Sequence, residues 1–255
     1  MPPTGPDTAG RFVDDFGVDL SRPLLPQVAA LADYDTWVHR PVHPRLLKEL
    51  AALPDRRWPR SLRIFADDRL EALTHISWKL VLAIWLPVAV ALLAGAARWQ
   101  GLGAGRTAAW AAGGFVLWTL VEYALHRWVF HHVYTSPRGK QFHFLAHGIH
   151  HLDPADPTRL VFPPLSGAVI AGLIYLGLEL LLPTGAAMAV MGGLLAGYLC
   201  YDMGHYYSHH GHPRDRFWRF MERYHKAHHY REPNALFGVS QPVWDLVWRT
   251  GSLKY

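Results

Sequence analysis

Between Leu160 and Tyr201 the chain carries one charged residue, Glu179, and the apolar run is broken only by Leu182-Pro183-Thr184-Gly185. A membrane crossing takes about 20 helical residues, so the run is too long for one crossing and fits two joined by a tight turn. Neither half has the polar face that a helix on the surface of a soluble globule needs. Two more apolar blocks come earlier: Leu80–Ala97 holds 18 uncharged residues between Lys79 and Arg98, and Thr107–Val121 holds 15 between Arg106 and Glu122, extended by Tyr123–Leu125. These blocks predict four transmembrane helices at about 77–97, 107–126, 162–182 and 185–203, the second being short and glycine-bearing. Backbone polar groups must be satisfied internally in hydrocarbon, so the expected fold class is all-α, an integral membrane protein.

Composition supports this reading. Hydrophobic residues make up 51% of the chain and charged ones 18%. The single cysteine, Cys200, excludes an intramolecular disulfide and an iron–sulfur or zinc site built on cysteine. The net charge of +5 is carried mostly by residues flanking the apolar blocks, where it marks a membrane surface and not a nucleic-acid site. Residues 1–33 are punctuated by Pro and Gly and lack the apolar core of a signal peptide. They read as a flexible N-terminal tail, ahead of a membrane domain over residues 34–255.

The chain has 17 histidines, and 14 of them lie between His126 and His229. Eleven of these fall into four groups: His126 and His131; His143, His147, His150 and His151; His205 and His209; and His225, His228 and His229. Spacings of three and four put side chains on one helix face, so 147/150/151, 205/209 and 225/228/229 can each present imidazoles to a common point. The spacing of five between His126 and His131 does not fit one α-helical face and places that pair across a helix end. Neutral imidazole suits iron and zinc alike. Ten such ligands, with His143 set aside, are too many for one ion and suit two. Without metal, imidazoles crowded together repel one another when protonated and leave ring nitrogens unsatisfied when neutral.

Alternation of helix direction puts the end of the second span, the start of the third and the end of the fourth at the same membrane face, and with them every grouped histidine. Arg127, Arg138, Lys140, Arg159, Arg214, Arg216, Arg219, Arg223 and Lys226 lie on that side, against Arg98 and Arg106 in the opposite loop. Positive charge marks the cytosolic face, so the histidine site is expected there: at the plasma membrane of a bacterium or the endoplasmic reticulum of a eukaryote.

Scattered histidines read as structural: His39, His43, His75, His212 and His132. His143 is either a metal ligand or a supporting residue one turn away. Glu122 and Asp202 precede His126 and His205 by four and three residues, which suits hydrogen bonds that fix imidazole tautomers, and Asp202 is the one candidate for a catalytic carboxylate. Asp153 and Asp156 are loop caps or similar supports. Glu222-x-x-His225 matches the ferritin-like di-iron pattern only once, and HExxH is absent, which argues against a zincin protease.

Seven segments carry a resemblance: YDTWVHRPV (34–42), HRWVFHH (126–132), HFLAHGIHH (143–151), RLVFPP (159–164), YDMGHYYSHH (201–210), YHKAHH (224–229) and FGVSQPVWD (237–245). In order, spacing and flanking residues the chain resembles the fatty acid hydroxylase family, within the wider sterol desaturase and membrane hydroxylase group, and fatty acid 2-hydroxylases above all. The resemblance implies four transmembrane helices with a cytosolic helical cap holding a dimetal site. It implies as ligands His126, His131, His147, His150, His151, His205, His209, His225, His228 and His229. It implies two iron ions, which zinc can replace in purified protein, and O₂ as co-substrate, with one oxygen atom inserted at carbon 2 of a fatty acyl group, free or linked to a sphingolipid. Eukaryotic members often carry a cytochrome b5-like domain ahead of the membrane domain. The 33 residues before Tyr34 are too short for one, so a separate donor such as a cytochrome b5 or a ferredoxin is expected.

A sterol or carotenoid ring hydroxylase or desaturase would use nearly the same ligands. A haem electron-transfer protein would need histidines within the spans, and a metal transporter would need polar groups near the bilayer midplane. The four apolar blocks offer Glu179 as their only charge and no histidine.

Overall fold

The computed structural model describes residues 12–53, 60–251 and 254. Among these, regular structure is helical throughout, apart from one isolated antiparallel bridge between Val13 and Asp19. The chain divides into two compact units, one formed by Met1–His75, Arg127–Leu160 and Lys226–Asn234, the other by Ile76–His126, Val161–His225 and Ala235–Tyr255.

The second unit is a helical bundle. Among the described residues four helices are long and apolar enough to cross a bilayer: span 1, Trp78–Arg98; span 2, Ala104–Phe130; span 3, Pro164–Leu181; and span 4, Thr184–His210. They come in the predicted order, and the protein is integral to a membrane. Span 4 is the central helix and packs along the other three. Its glycines make this possible. An ideal Cβ on Gly193 would lie 2.0 Å from the carbonyl oxygen of Ala111, and one on Gly114 would lie 2.1 Å from that of Val190. The glycines that shorten the apolar signal of span 2 are thus where two backbones meet, the usual device for helix pairing in lipid. Span 3 buries no residue, and it exposes Leu165, Val169, Leu173, Leu176 and Leu180, a face for hydrocarbon.

Span 4 runs past its expected end at residue 203 to His210, so His205 and His209 ride on the same rigid helix as the apolar span. Span 2 changes character at its end: α-helical to Leu125, it continues as a π-helical turn over His126–Phe130. In a π-helix the hydrogen bonds run from i to i+5, so residues five apart are one turn apart. The pair His126 and His131, expected to straddle a helix end, is carried by this turn. A second π turn covers Phe144–Gly148 and leads into the short helix Ile149–Leu152.

The first unit has its own core, built on Trp37, Val38, Phe144 and Leu152. Residues 12–33, expected from sequence to be part of a flexible tail, are packed into it. Phe12, Val18, Leu20, Leu24 and Val28 are buried, and Leu24 and Leu25 donate backbone N–H groups to the carbonyls of Arg63 and Ile64. Each Val or Leu so buried contributes about 1.5–3 kcal/mol. The segment escapes a periodicity reading because its apolar residues are spread over a bridge, a turn and one short helix, Leu24–Ala30. Residues 1–11 of the expected tail lie outside the described residues.

Arg159 closes the first unit. Its guanidinium donates to the Leu62 carbonyl and to Glu71 Oε1 (2.5 Å), and its Nε to Thr74 Oγ1 (3.2 Å). Glu71 in turn accepts the N–H groups of Ile64 (3.0 Å) and Phe65 (2.7 Å). Burial by itself would raise the Glu71 carboxyl, but hydrogen bonds from His75 and the Phe65 N–H, with the Arg159 charge, hold it below its ordinary value.

Candidate metal centre

Four imidazoles converge within the first unit: His131 at the end of the π turn, His147 and His151 one α-turn apart, and His228 on the helix Arg216–Tyr230. His228 Nε2 lies 3.0 Å from His131 Nε2 and 3.2 Å from His151 Nε2, and His151 Nε2 lies 3.0 Å from His147 Nε2. A second pair in this unit, His150 and His229, has ring centroids 4.6 Å apart at 90°. Within the second unit His205 and His209, on span 4, meet His225: the Nε2 atoms of His205 and His225 are 2.8 Å apart, and the His209 ring is 4.9 Å from that of His225. Ligand atoms lie within 4.8 Å of one another in the quartet, in the pair and in this trio.

These spacings fit metal. With metal–nitrogen bonds of about 2.1 Å, two ligand nitrogens stand about 3.0 Å apart at a right angle and about 3.4 Å apart at a tetrahedral angle. Three of the nitrogen–nitrogen distances, 3.0, 3.0 and 3.2 Å, fall at the short end of that range, and the fourth, 2.8 Å, lies just below it. The donors are all imidazole and nearly all buried, and within the quartet and between His205 and His225 the Nε2 atoms face one another. Burial above all, then the neighbouring histidines 229, 147, 131 and 228, hold the His151 ring well below its ordinary value, so it is neutral at pH 7, the form that can ligate a metal.

His126 is buried at the end of span 2, and its Nδ1 lies 2.5 Å from the carbonyl oxygen of Phe237. A carbonyl only accepts, so Nδ1 carries the ring proton and Nε2 is left with its lone pair, the arrangement of a ligating histidine.

Two expectations, for Asp202 and Glu122, are corrected. Asp202 does not reach His205 through its observed hydrogen bonds. It accepts from the Phe162 N–H (3.2 Å) and the Tyr198 hydroxyl (3.0 Å), tying the lead-in of span 3 to span 4. Glu122 likewise turns from His126 to the backbone of Val239 and Ser240. The sequence spacing held both carboxylates near a histidine, but a carboxylate binds whichever N–H the fold brings closest. His143 stands beside the quartet with both ring nitrogens engaged: Nδ1 accepts from the Tyr34 hydroxyl at 2.6 Å, and the ring bonds the Phe130 backbone. Burial first, and then His39, bring His143 down to about 4. Asp153 and Asp156 are both buried, and burial with the Asp156 charge pushes Asp153 up to about 7.

His39 was missed by sequence reasoning. Its ring stacks on His131 at 5.3 Å and meets His151 edge-on at 5.0 Å, while its Nδ1–H donates to the Asp35 carbonyl at 2.8 Å. No spacing signal could have found it, because its segment is remote from every histidine group. His212 is exposed, as a scattered histidine should be.

Comparison with known proteins follows the same lines. The model of the fatty acid hydroxylase family matches residues 111–250. A dihydroceramide fatty acyl 2-hydroxylase of Arabidopsis thaliana is 36% identical over 236 residues, 92% of this chain and 93% of that protein. The fatty acid 2-hydroxylase of Homo sapiens is 33% identical over 257 residues, 91% of this chain and 64% of that protein. A solved structure of full-length scs7p, in which only the hydroxylase domain is visible, superposes with a TM-score of 0.81 at 33% identity, covering 93% of this chain and 87% of that one. Four apolar spans, convergent imidazoles and these likenesses agree: the chain belongs to the fatty acid hydroxylase family.

Proposed function

We propose that the protein is a membrane monooxygenase that hydroxylates carbon 2 of a fatty acyl chain, free or linked to a sphingolipid. It would do so with two metal ions, iron in the active form. The observation that carries the reading is the convergence of buried imidazoles in a chain with four apolar spans whose relatives bear the names of fatty acyl or fatty acid 2-hydroxylases. The quartet His131, His147, His151 and His228 forms the core of one ligand set and the trio His205, His209 and His225 that of the other. His126, His150 and His229 complete them.

The balance is one C–H bond, O₂, two electrons and two protons giving one C–OH group and one water. When bound, the metal pair supplies the redox chemistry that oxygen insertion requires. The chain's own residues do the rest: imidazoles hold their Nε2 lone pairs inward, and burial keeps bulk water from the reacting atoms. Zinc binds nitrogen sites more tightly than Fe²⁺ and has no redox chemistry, so a zinc-filled protein is inactive.

Electrons come from a separate donor on the cytosolic face. Exposed Arg214, Arg216, Arg219 and Arg223 offer an acidic donor protein a landing surface whose attraction falls with ionic strength.

The test is mass spectrometry of lipids from cells grown under ¹⁸O₂ with and without the protein. A 2-hydroxyacyl product carrying one ¹⁸O, absent from a His228→Ala control, is the expected result. An oxidised sterol or carotenoid in its place would overturn the substrate assignment.

A further inference from the structure

The chain beyond His229 contains no histidine, and its motif FGVSQPVWD therefore has no imidazole to offer an ion. Yet two buried carboxylates grip it. Glu122 stands one turn before His126 on span 2. Its Oε1 accepts the N–H groups of Val239 (3.0 Å) and Ser240 (2.8 Å), and its Oε2 accepts the Ser240 hydroxyl (2.5 Å). Asp245, the last residue of the motif, holds the same loop from within. Its Oδ1 accepts the Phe237 N–H (2.9 Å) and the Thr250 hydroxyl (2.7 Å), and its Oδ2 accepts the Gly238 N–H (2.6 Å). The group held between them is the Phe237 carbonyl, 2.5 Å from His126 Nδ1.

Backbone conformation points the same way. Leu236 and Arg249, at φ 61° and 57°, are the two non-glycine residues with positive φ among the described residues, and they stand at the two ends of this segment. Such strain persists only where surrounding contacts over-determine it, and it gathers at functional sites. Here Leu236 donates its N–H to the Thr250 carbonyl and Thr250 donates to that of Asp245, both at 2.8 Å. Gly238 admits no side chain, since a Cβ would lie 2.0 Å from the Gln241 carbonyl oxygen and 2.8 Å from Asp245 Oδ2. The closure is tied back to span 2 beside Glu122, where the Tyr123 hydroxyl meets Thr250 Oγ1 at 2.7 Å and its ring stacks on Trp248 at 5.0 Å.

We propose that the segment Phe237–Thr250 is a clamp that fixes the tautomer and ring direction of His126, with Glu122 and Asp245 as its positioning residues. One of the two ions then depends on a stretch of chain that has no histidine. The inference rests on the two-ion reading above.

The chemistry grades the test. In Asp245→Asn the amide NH₂ must face either the Phe237 or the Gly238 N–H, so one grip is lost. In Glu122→Gln the Ser240 hydroxyl can turn and accept from the new amide, so the loss is milder. Wild-type protein and both variants, purified in nanodiscs, are titrated with Co²⁺ against a chelator, with stoichiometry, optical spectrum and thermal unfolding of the metal-free protein read in parallel. Wild type should bind two ions. Asp245→Asn should keep one at wild-type affinity and bind the other about 10–100-fold more weakly, the usual cost of losing a group that orients a ligand. Glu122→Gln should fall between, and one of the two cobalt spectra should shift. Two ions at wild-type affinity in both variants would overturn the clamp while leaving the two-ion reading intact. Equal weakening of both ions, in step with a lower unfolding temperature, would reduce the segment to packing. A wild type without two ions would sink the reading beneath it. Should Asp245→Asn fail to fold, Glu122→Gln and Ser240→Ala decide the matter by the same readouts.

Discussion

Replacing Arg159 by Met removes the cation from a carboxylate that cannot reach water: the side chains of Arg159 and Glu71 are 3% and 1% exposed. The methionine roughly fills the volume but leaves Glu71 with two backbone N–H groups and His75 against a buried charge. Breaking one side of such a pair costs about 3–5 kcal/mol. At about 2–4 °C per kcal/mol for a chain of this size, unfolding should fall by roughly 6–20 °C. Fluorescence-detected size exclusion after a heat challenge, in detergent, measures this. Adding Glu71→Gln should recover part of the loss, because the stranded charge is gone, with a coupling of about 0.5–3 kcal/mol. The sign with pH follows from the lowered carboxyl of Glu71. Its contribution is fully present above the unfolded carboxylate value of about 4.3 and is lost as pH falls through the lower folded value. Wild type should therefore lose stability in acid across that window, and Glu71→Gln should flatten the profile there. A cost under about 1 kcal/mol for Arg159→Met, or a double variant as unstable as the sum of the singles, would refute the reasoning.

Other perturbations reach the remaining parts of the structure. His228→Ala and His150→Ala should each lower bound metal and abolish hydroxylation, whereas His212→Ala and His143→Ala should keep the metal; elemental analysis separates them, and metal loss in His143→Ala would place it among the ligands. Gly193→Leu should prevent span 2 from closing on span 4, since even a Cβ would stand 2.0 Å from the Ala111 carbonyl; monodisperse, folded protein at the wild-type yield would contradict that packing. Arg249→Gly, at an exposed position with φ 57°, should raise stability by about 1 kcal/mol in thermal unfolding, through relief of left-handed strain.

Spans and grouped histidines are local properties, and the sequence alone determined them. An apolar block of bilayer length needs no partner to be recognised, and residues three or four apart share a helix face whatever lies opposite. That is why spans 1 to 4 and the pairs and triples around His147, His205 and His228 could be read directly. The family likeness rests on the same local motifs. Only tertiary structure decided what each imidazole meets. His39 comes from a distant segment to stack on His131, while His143, at helical spacing from His147, is satisfied by Tyr34. Residues 12–33 carry no periodic signal, yet Leu20, Leu24 and Val28 find a core. Asp202 and Glu122 lie one turn from histidines but bind the N–H groups of Phe162 and of Val239 and Ser240, and the partner of His126 is a backbone carbonyl. Every residue has such a carbonyl, so no sequence pattern can mark the one that a fold will bring within 2.5 Å of a ring.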